Sequence, residues 1–378
     1  MFLLVWRKLK LDPLKTLLTA LALGSVIAVM LVFQGFREGQ YFQLSRMVMN
    51  RQGDLIAVQA GVSNFIAVRS TLPQFSRGEV EAVPGVSAVH PLTTIGLIYE
   101  QDGIRTPLYL VVYDTLGGPV KLSEGRTLKE DHDIIIDKSL AKKHNLKAGD
   151  ELPIYGFGFK IVGIVEEEVA FMMPFAYASY EGMLDLYFET EIAPDITIFP
   201  MLSFMLIEVS PESNREDVAK AIEEAVPVVD IFTPEQLSKH DVALGKLFFG
   251  PIIGLLVTIS SIIGFLVMGL IMYSEVNGEI RNYGIMKALG FSNLKLAGVV
   301  IAQALLLVLF AMPAGLALGA GLAAFINETA PLYLIRIFDY TILLQTALAS
   351  LIFAAAGAMI PFLTVQRADP MIVFQEVQ

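Results

Sequence analysis

Residues 248–273 read FFGPIIGLLVTISSIIGFLVMGLIMY, from Phe248 to Tyr273, without one charged side chain. A helix needs about 20 apolar residues to cross a hydrocarbon layer about 30 Å thick, so this stretch is long enough to span a membrane. Working outward, three more uncharged stretches appear at Leu17–Phe33, Leu296–Ile326 and Thr341–Val365. The N-terminal one reaches spanning length by including Leu14–Thr16. The whole chain of 378 residues is 54% hydrophobic and only 17% charged, with a mean hydropathy of +0.61. A soluble domain carries about 25% charged residues. The expected fold is an α+β membrane protein with four transmembrane helices and a large water-facing insert.

The charges are distributed accordingly. Residues 34–247 hold 18 of the 27 Lys and Arg but 31 of the 38 Asp and Glu, a net −13 against −11 for the whole chain. Such an acidic insert excludes nucleic acid as a partner, because binding it demands a basic footprint. There is no cysteine, so neither a disulfide framework nor a thiolate metal site exists. The sequence divides into 1–33 with the first span, the insert 34–247, and 248–378 with spans two to four around a loop at 274–295.

Arg7, Lys8 and Lys10 before the first apolar run would suit a cleaved signal peptide. That run exceeds the usual 7–15 residues of such a region. It also continues without a turn signal into Gln34–Met49, where Phe36, Tyr41, Leu44 and Met47 keep near-helical spacing. It reads as a retained anchor. Lys and Arg in short segments set the orientation: Arg7, Lys8, Lys10, Lys15, Arg281, Lys287, Lys295 and Arg367 lie on one side, and Arg336 alone on the other. The expectation is a multi-pass inner-membrane protein with both termini and the 274–295 loop in the cytoplasm, and the insert outside.

Ala311, Gly315, Gly319 and Ala323 recur every four residues, the pattern that lets helix backbones approach in lipid. No Asp, Glu, Lys, Arg or His interrupts spans two to four. Proton relays and ion pathways need such groups, which argues against an ion-driven carrier. Catalytic constellations are missing too. His90, His132, His144 and His240 are scattered without metal-ligand spacing, and no phosphate-binding Gly-x-x-x-x-Gly-Lys-Ser/Thr loop occurs. The run Glu166-Glu167-Glu168 reads as a solvated face. No cofactor and no enzymatic activity are expected of this chain; if it uses ATP, another chain hydrolyses it.

In the insert, Asp54–Gln59 alternates like a strand, and Ser76-x-x-Glu79 is the pattern of a capping box. Ala88–Glu100 and Ile104–Tyr113 flank Gln101-Asp102-Gly103, a hairpin signal. Phe204–Val209, a helix opened by Ser213-x-x-Glu216, and Val228–Phe232 follow. The order β-α-β-β … β-α-β predicts a split ferredoxin-like layer, interrupted by a β-rich subdomain at 120–200. Val169–Tyr180 is apolar but too short to span. It reads as core or, more sharply, as a cargo or partner surface formed by Phe171, Met172, Met173 and Phe175. Thr233-Pro234-Glu235-Gln236 starts a helix with a cap, a proline at its first position and a capping-box Gln. That helix and the extension of span one would form a stalk under the outer domain.

The 274–295 loop contains Glu279-Ile-Arg281-Asn-Tyr-Gly284-Ile-Met-Lys287-Ala-Leu-Gly290. Ile280, Tyr283, Ile285 and Leu289 suggest an apolar stripe, Gly290 a helix stop, and Ser292 or Asn293 the cap of the next helix. The run resembles the Arg-Glu-x-Gly-Ile-x-Lys-Ala-Leu-Gly signature of FtsX/MacB-type ABC transporter permeases at Arg281, Gly284, Ile285, Lys287, Ala288, Leu289 and Gly290. Ile134–Val165 resembles that family's β-rich subdomain, and Arg367-x-x-Pro370 its tail. Gly35-Phe36 and Asp54-Leu-Ile are similar, more weakly, to DevC-like exporter permeases. The resemblance implies a transmembrane subunit that pairs with a second permease copy, as homodimer or heterodimer, and binds ABC ATPase subunits through this loop. It further implies mechanotransmission, and the function expected on that basis is export of an apolar or amphiphilic cargo with a periplasmic adaptor (membrane fusion protein). Glu279, Arg281, Asn282, Gly284, Lys287, Ala288 and Gly290 are the expected ATPase-coupling residues. Asn282 stands where the signature has Glu; Glu279, three residues earlier, is on nearly the same helical face. Two alternatives remain open: an FtsX-like signalling permease that activates an extracytoplasmic cell-wall hydrolase, and a stand-alone receptor or scaffold.

Overall fold

The structure, a computed structural model, describes residues 13–166, 168–170, 172–190 and 201–367. It opens with helix α1 (Pro13–Met49). Then come β1 (Leu55–Gln59), β2 (Leu72–Pro73), α2 (Ser76–Glu81), β3 (Val86–Gln101), β4 (Ile104–Val112), β5 (Leu122–Gly125) and β6 (Asp133–Asp137). These lead to α3 (Lys138–His144), β7 (Glu151–Ile154), β8 (Phe157–Val165), β9 (Val169–Ala170), β10 (Met173–Ala178) and α4 (Tyr180–Glu189). After β11 (Met201–Leu202), β12 (Phe204–Val209), α5 (Arg215–Ala225) and β13 (Val229–Phe232), helix α6 runs from Pro234 to Asn277. The chain ends on α7 (Ile280–Ala288), α8 (Asn293–Thr329), a 3-10 turn at Pro331–Tyr333 and α9 (Tyr340–Arg367). Among the described residues, α1, α6, α8 and α9 are long and apolar enough to cross a membrane.

The described chain forms two compact units, one of residues 13–38, 251–326 and 335–367, the other of residues 39–250 and 327–334. The first is a helical bundle whose core contains Leu23, Ile27, Met272, Leu307, Ala311, Ala354 and Ala358. Its close contacts are made by glycine. A Cβ on Gly315 would stand 2.8 Å from Ile27, and one on Gly357 would stand 2.8 Å from the Cα of Gly269. Removing side-chain bulk lets neighbouring backbones touch where lipid provides no hydrophobic drive between helices.

The second unit is built on one sheet in the order β13-β1-β12-β3-β4-β10-β6-β8-β5, with β7 on β8 and β9 on β10. Its first four strands pair antiparallel and interleave two β-α-β units through α2 and α5, the split ferredoxin-like layer expected from the sequence. The insertion is not a layer apart. The 16-residue β3 pairs with β12 over its first half and with β4 over its second, and β4 then pairs in parallel with β10. One strand thus serves both halves. The β3–β4 turn has Asp102 and Gly103 both at positive φ, 52° and 77°, as a tight hairpin requires.

Strand alternation assigns the core faces. Leu55, Ala57, Met205 and Ile207 pack with Val80, Val218 and Ile222 of the two helices. Ile56, Val58, Phe204 and Leu206 point the other way, onto Leu44, Met47 and Val48 of α1 and Leu237 of α6. Ile135, Phe175 and Tyr177 of the insertion join this second face. Two expected caps are corrected. Ser76 lies buried inside α2 and its hydroxyl donates to the Pro73 carbonyl at 2.6 Å, so no box forms there. Asn214, not Ser213, caps α5 by accepting from the Glu216 N–H. At Thr233 the box is complete: Gln236 N–H donates to Thr233 Oγ1 at 3.2 Å, and Thr233 N–H to Gln236 Oε1 at 2.9 Å.

Candidate coupling site and the buried joint of the α+β unit

Helix α7 is short because its ends are specified. Glu279 precedes it with non-helical backbone, its carbonyl accepting from the Asn282 and Tyr283 N–H groups. At the other end Gly290 takes φ +88°, its N–H reaches Lys287 O, and Phe291 N–H reaches Met286 O at 3.1 Å. That pair of bonds is a Schellman stop, which needs glycine at the left-handed position. The next helix starts at Asn293, with Ser292 Oγ accepting from the Lys295 N–H.

One face of α7 enters the helical bundle. Tyr283 is 1% exposed and its hydroxyl donates to Gln303 Oε1 of α8 at 2.9 Å. Ile280, Met286 and Phe291 pack partly buried beside it. The expected four-residue stripe is therefore split: Ile285 and Leu289 are exposed. At 3.6 residues per turn Ile285 lies about 200° from Tyr283, on the opposite face. Of the expected coupling residues, Arg281, Asn282, Ala288 and Gly290 are exposed, Glu279 and Lys287 are half-buried, and Gly284 is buried beside Tyr283. Ala311, Gly315, Gly319 and Ala323 lie along the buried side of α8.

At Phe175 the core reading applies and the surface reading is corrected. Phe175 is fully buried in β10, its ring 5.9 Å from that of Tyr109, and Met173 is half-buried; Met172 is exposed, and Phe171 lies outside the described residues. The strand is interior because β4 and β6 flank it on both edges.

Sequence reading missed the polar centre of this unit. Arg51, two residues after α1, is fully buried. Its Nε donates to Met47 O at 3.0 Å, and its Nη2 donates to Glu168 Oε2 at 2.9 Å and to the Tyr177 hydroxyl at 3.1 Å; the other terminal nitrogen donates to Gly117 O. Tyr177 donates to Glu168 at 2.8 Å, and Asn50 donates to the second Glu168 oxygen at 2.9 Å. Burial opposes the Arg51 charge, but Tyr177 and Glu168 hold its pKa above the ordinary value. Glu168 was expected on a solvated acidic face; at 4% exposed it is the buried counter-ion instead, while Glu166 stays on the surface with Lys138. Asp137 sits beside it, accepting from Ser139 N–H and Oγ and from the Glu168 N–H. Burial pushes its carboxyl up to about 7. The sequence signal was faint: a lone Arg directly after a helix, whose partners other than the Met47 carbonyl are more than 60 residues away. Among the described residues no group of three or more His, Cys, Asp or Glu could hold a metal ion.

Residues 15–225 match the family model of the MacB-like periplasmic core domain, and residues 254–370 match that of the FtsX-like permease C-terminal region. The chain is similar to the uncharacterised ABC transporter permease Rv0072 of Mycobacterium tuberculosis (strain ATCC 25618 / H37Rv), 22% identical over 321 residues, covering 84% of this chain and 83% of that one. It is 23% identical to the uncharacterised ABC transporter permease Mb2592 of Mycobacterium bovis (strain ATCC BAA-935 / AF2122/97), covering 82% and 81%. Among solved structures, the extracellular domain of the noncanonic ABC-type transporter YknZ from Gram-positive bacteria aligns at a TM-score of 0.35 and 14% identity, over 48% of this chain and 100% of that one. The periplasmic region of MacB from Actinobacillus actinomycetemcomitans aligns at 0.35 and 14%, over 50% and 92%.

Proposed function

Because this chain belongs to the ABC transporter permeases that join a MacB-like periplasmic core domain to an FtsX-like permease region, we propose that it couples ATP hydrolysis in a separate ATPase chain to motion of its α+β unit. In this reading α7 and both termini face the cytoplasm, as the Lys and Arg distribution favours, and the α+β unit faces outward. A second permease copy completes the transmembrane part. The cargo is apolar or amphiphilic and passes to a periplasmic adaptor.

The observation that carries the reading is the two-sidedness of α7. Tyr283 ties one face to α8, while Arg281, Asn282 and Ala288 on the other are accessible to a docking protein. A displacement of α7 then becomes a displacement of the bundle. Gly284, buried, serves the anchoring face rather than the contact. Helices α1 and α6 run for 37 and 44 residues with residues in both units, α6 lacking one ladder bond at Pro251, which suits them to carry such a displacement. The motion does work only if cargo or adaptor binds the two states differently.

The test is Ala288→Glu and Arg281→Glu in the full chain, with ATPase co-purification and ATP-dependent export of cargo both measured. Both variants should reach the membrane, lose ATPase association and stop export. Wild-type association and export in both would overturn the reading. Recovery of a peptidoglycan hydrolase with the ATPase, and no cargo movement, would replace export by signalling.

A further inference from the structure

Within the helical bundle, α1, α8 and α9 leave a groove of about 430 Å³, inside the range of small-molecule sites. Its walls include Ile27 and Leu31 of α1, Met312 and Leu316 of α8, and Leu343 and Thr346 of α9. Thr346 is the polar member of that set. Gln34 follows Ile27 and Leu31 at helical spacing, so it continues their face of α1. It is 7% exposed, and its Nε2 donates to Thr346 Oγ1 at 3.2 Å. Its Oε1 is buried without a hydrogen-bond partner among the described residues. Turning the amide over would pair the oxygen with the threonine hydroxyl and leave the nitrogen unpaired instead. One polar atom goes begging in either orientation, which is costly for a buried group.

The position of this pair says what the partner is. Gln34 lies three residues before Arg37, the first charge on α1 after its apolar run, and Thr346 lies seven residues after Asp339, six residues into α9. Both lie within about two helical turns of the end of a spanning stretch, close to the depth at which acyl chains give way to hydroxyl- and ester-bearing headgroups. The apolar walls extend from that depth into the span. We propose that the groove holds one acyl chain of a membrane lipid whose hydroxyl is bound by Gln34 and Thr346. A hydroxyl both donates and accepts, so it satisfies the amide in either orientation. This site is independent of the ATPase contact and of the transport role proposed above.

The probes are 1-monooleoylglycerol and methyl oleate, which share a chain and differ in the free hydroxyls. The full-length protein in nanodiscs is loaded with each, delipidated with detergent, and examined by native mass spectrometry for retained molecules. Wild type should keep about one monooleoylglycerol per chain and at least tenfold less methyl oleate. Gln34→Leu and Thr346→Val should each reduce that preference below twofold, and Leu316→Trp should displace both probes by filling the groove. Equal retention of the two probes by wild type would show an ordinary annular surface and overturn the proposal. So would an undiminished preference in whichever polar variant retains the wild-type melting temperature.

Discussion

The guanidinium of Arg51 lies 2.9 Å from the carboxylate of Glu168, and both side chains are shielded from water, at 0% and 4% exposed. Arg51 lies two residues past the end of α1 and Glu168 in the loop before β9 and β10. Tyr177 on β10 closes the triangle. The joint therefore binds the C-terminal turn of α1 to the inserted part of the sheet through charge-assisted bonds, which are roughly twice as strong as neutral ones.

Breaking a buried pair by removing one partner leaves an uncompensated charge, at a cost of about 3–5 kcal/mol, whereas replacing both with apolar groups is often near neutral. Arg51→Met should accordingly lower the melting temperature of the purified full-length protein sharply, and Arg51→Met with Glu168→Leu should regain most of the loss. A double variant as unstable as the single one would show that packing of the Arg51 stem, rather than the pair, is what matters.

Asp137 gives the stability a pH dependence. Its carboxyl titrates at about 7 in the fold, against 3.8 without the burial. Between those values the folded chain holds a proton that the unfolded chain has released, so stability falls as pH rises, by up to about 1.4 kcal/mol per unit. Melting temperatures measured from pH 4 to 8 should decline in wild type, and Asp137→Asn should lessen the decline, leaving the share of Asp241, whose carboxyl burial also pushes up to about 7. An identical slope in the variant would mean that Asp137 is already ionised in the fold.

Gly315 on α8 has no room for a side chain. The Cβ of any replacement meets Ile27 at 2.8 Å and the Gly24 carbonyl at 2.9 Å, so Gly315→Leu must push α8 away from α1. Overpacking of this kind costs about 1–3 kcal/mol or more. Yield of monodisperse protein in mild detergent should fall, while Gly321→Leu, where a Cβ meets nothing within 4 Å, should behave as wild type.

Tyr283 is the peg of α7. Tyr283→Ala removes a fully buried ring and its bond to Gln303, and loss of a large buried side chain costs about 3–5 kcal/mol. The helix should loosen, making the bonds after Arg281 and Lys287 faster trypsin substrates in intact protein. Tyr283→Phe keeps the packing and should stay close to wild type. Equal cleavage of wild type and Tyr283→Ala would mean that the ring does not hold the helix.

Local chemistry was readable residue by residue. The uncharged runs announced the spans, Asp102-Gly103 the hairpin, Thr233 with Gln236 the start of α6, and Gly290 the end of α7. Each is decided by a few neighbours in the chain: hydrocarbon thickness, positive φ and orphan N–H groups act over one turn or one helix length. The order β-α-β-β … β-α-β was equally legible, since strand period and caps are short-range. The caps near Ser76 and Ser213 misled because the same short pattern can be satisfied one residue away or abandoned when its serine is buried.

The arrangement of polar groups in the interior was legible nowhere. Glu166 and Glu168 stand two apart in one acidic run just past the end of β8, yet one meets solvent and the other meets Arg51. Gln34 and Thr346 are 312 residues apart and meet only because α1 and α9 pack together. Membrane partition and local turns follow from composition and spacing, which a linear reading contains in full. Which buried charge finds which partner depends on contacts closed across the whole chain, and these exist only once the sheet and the bundle have formed.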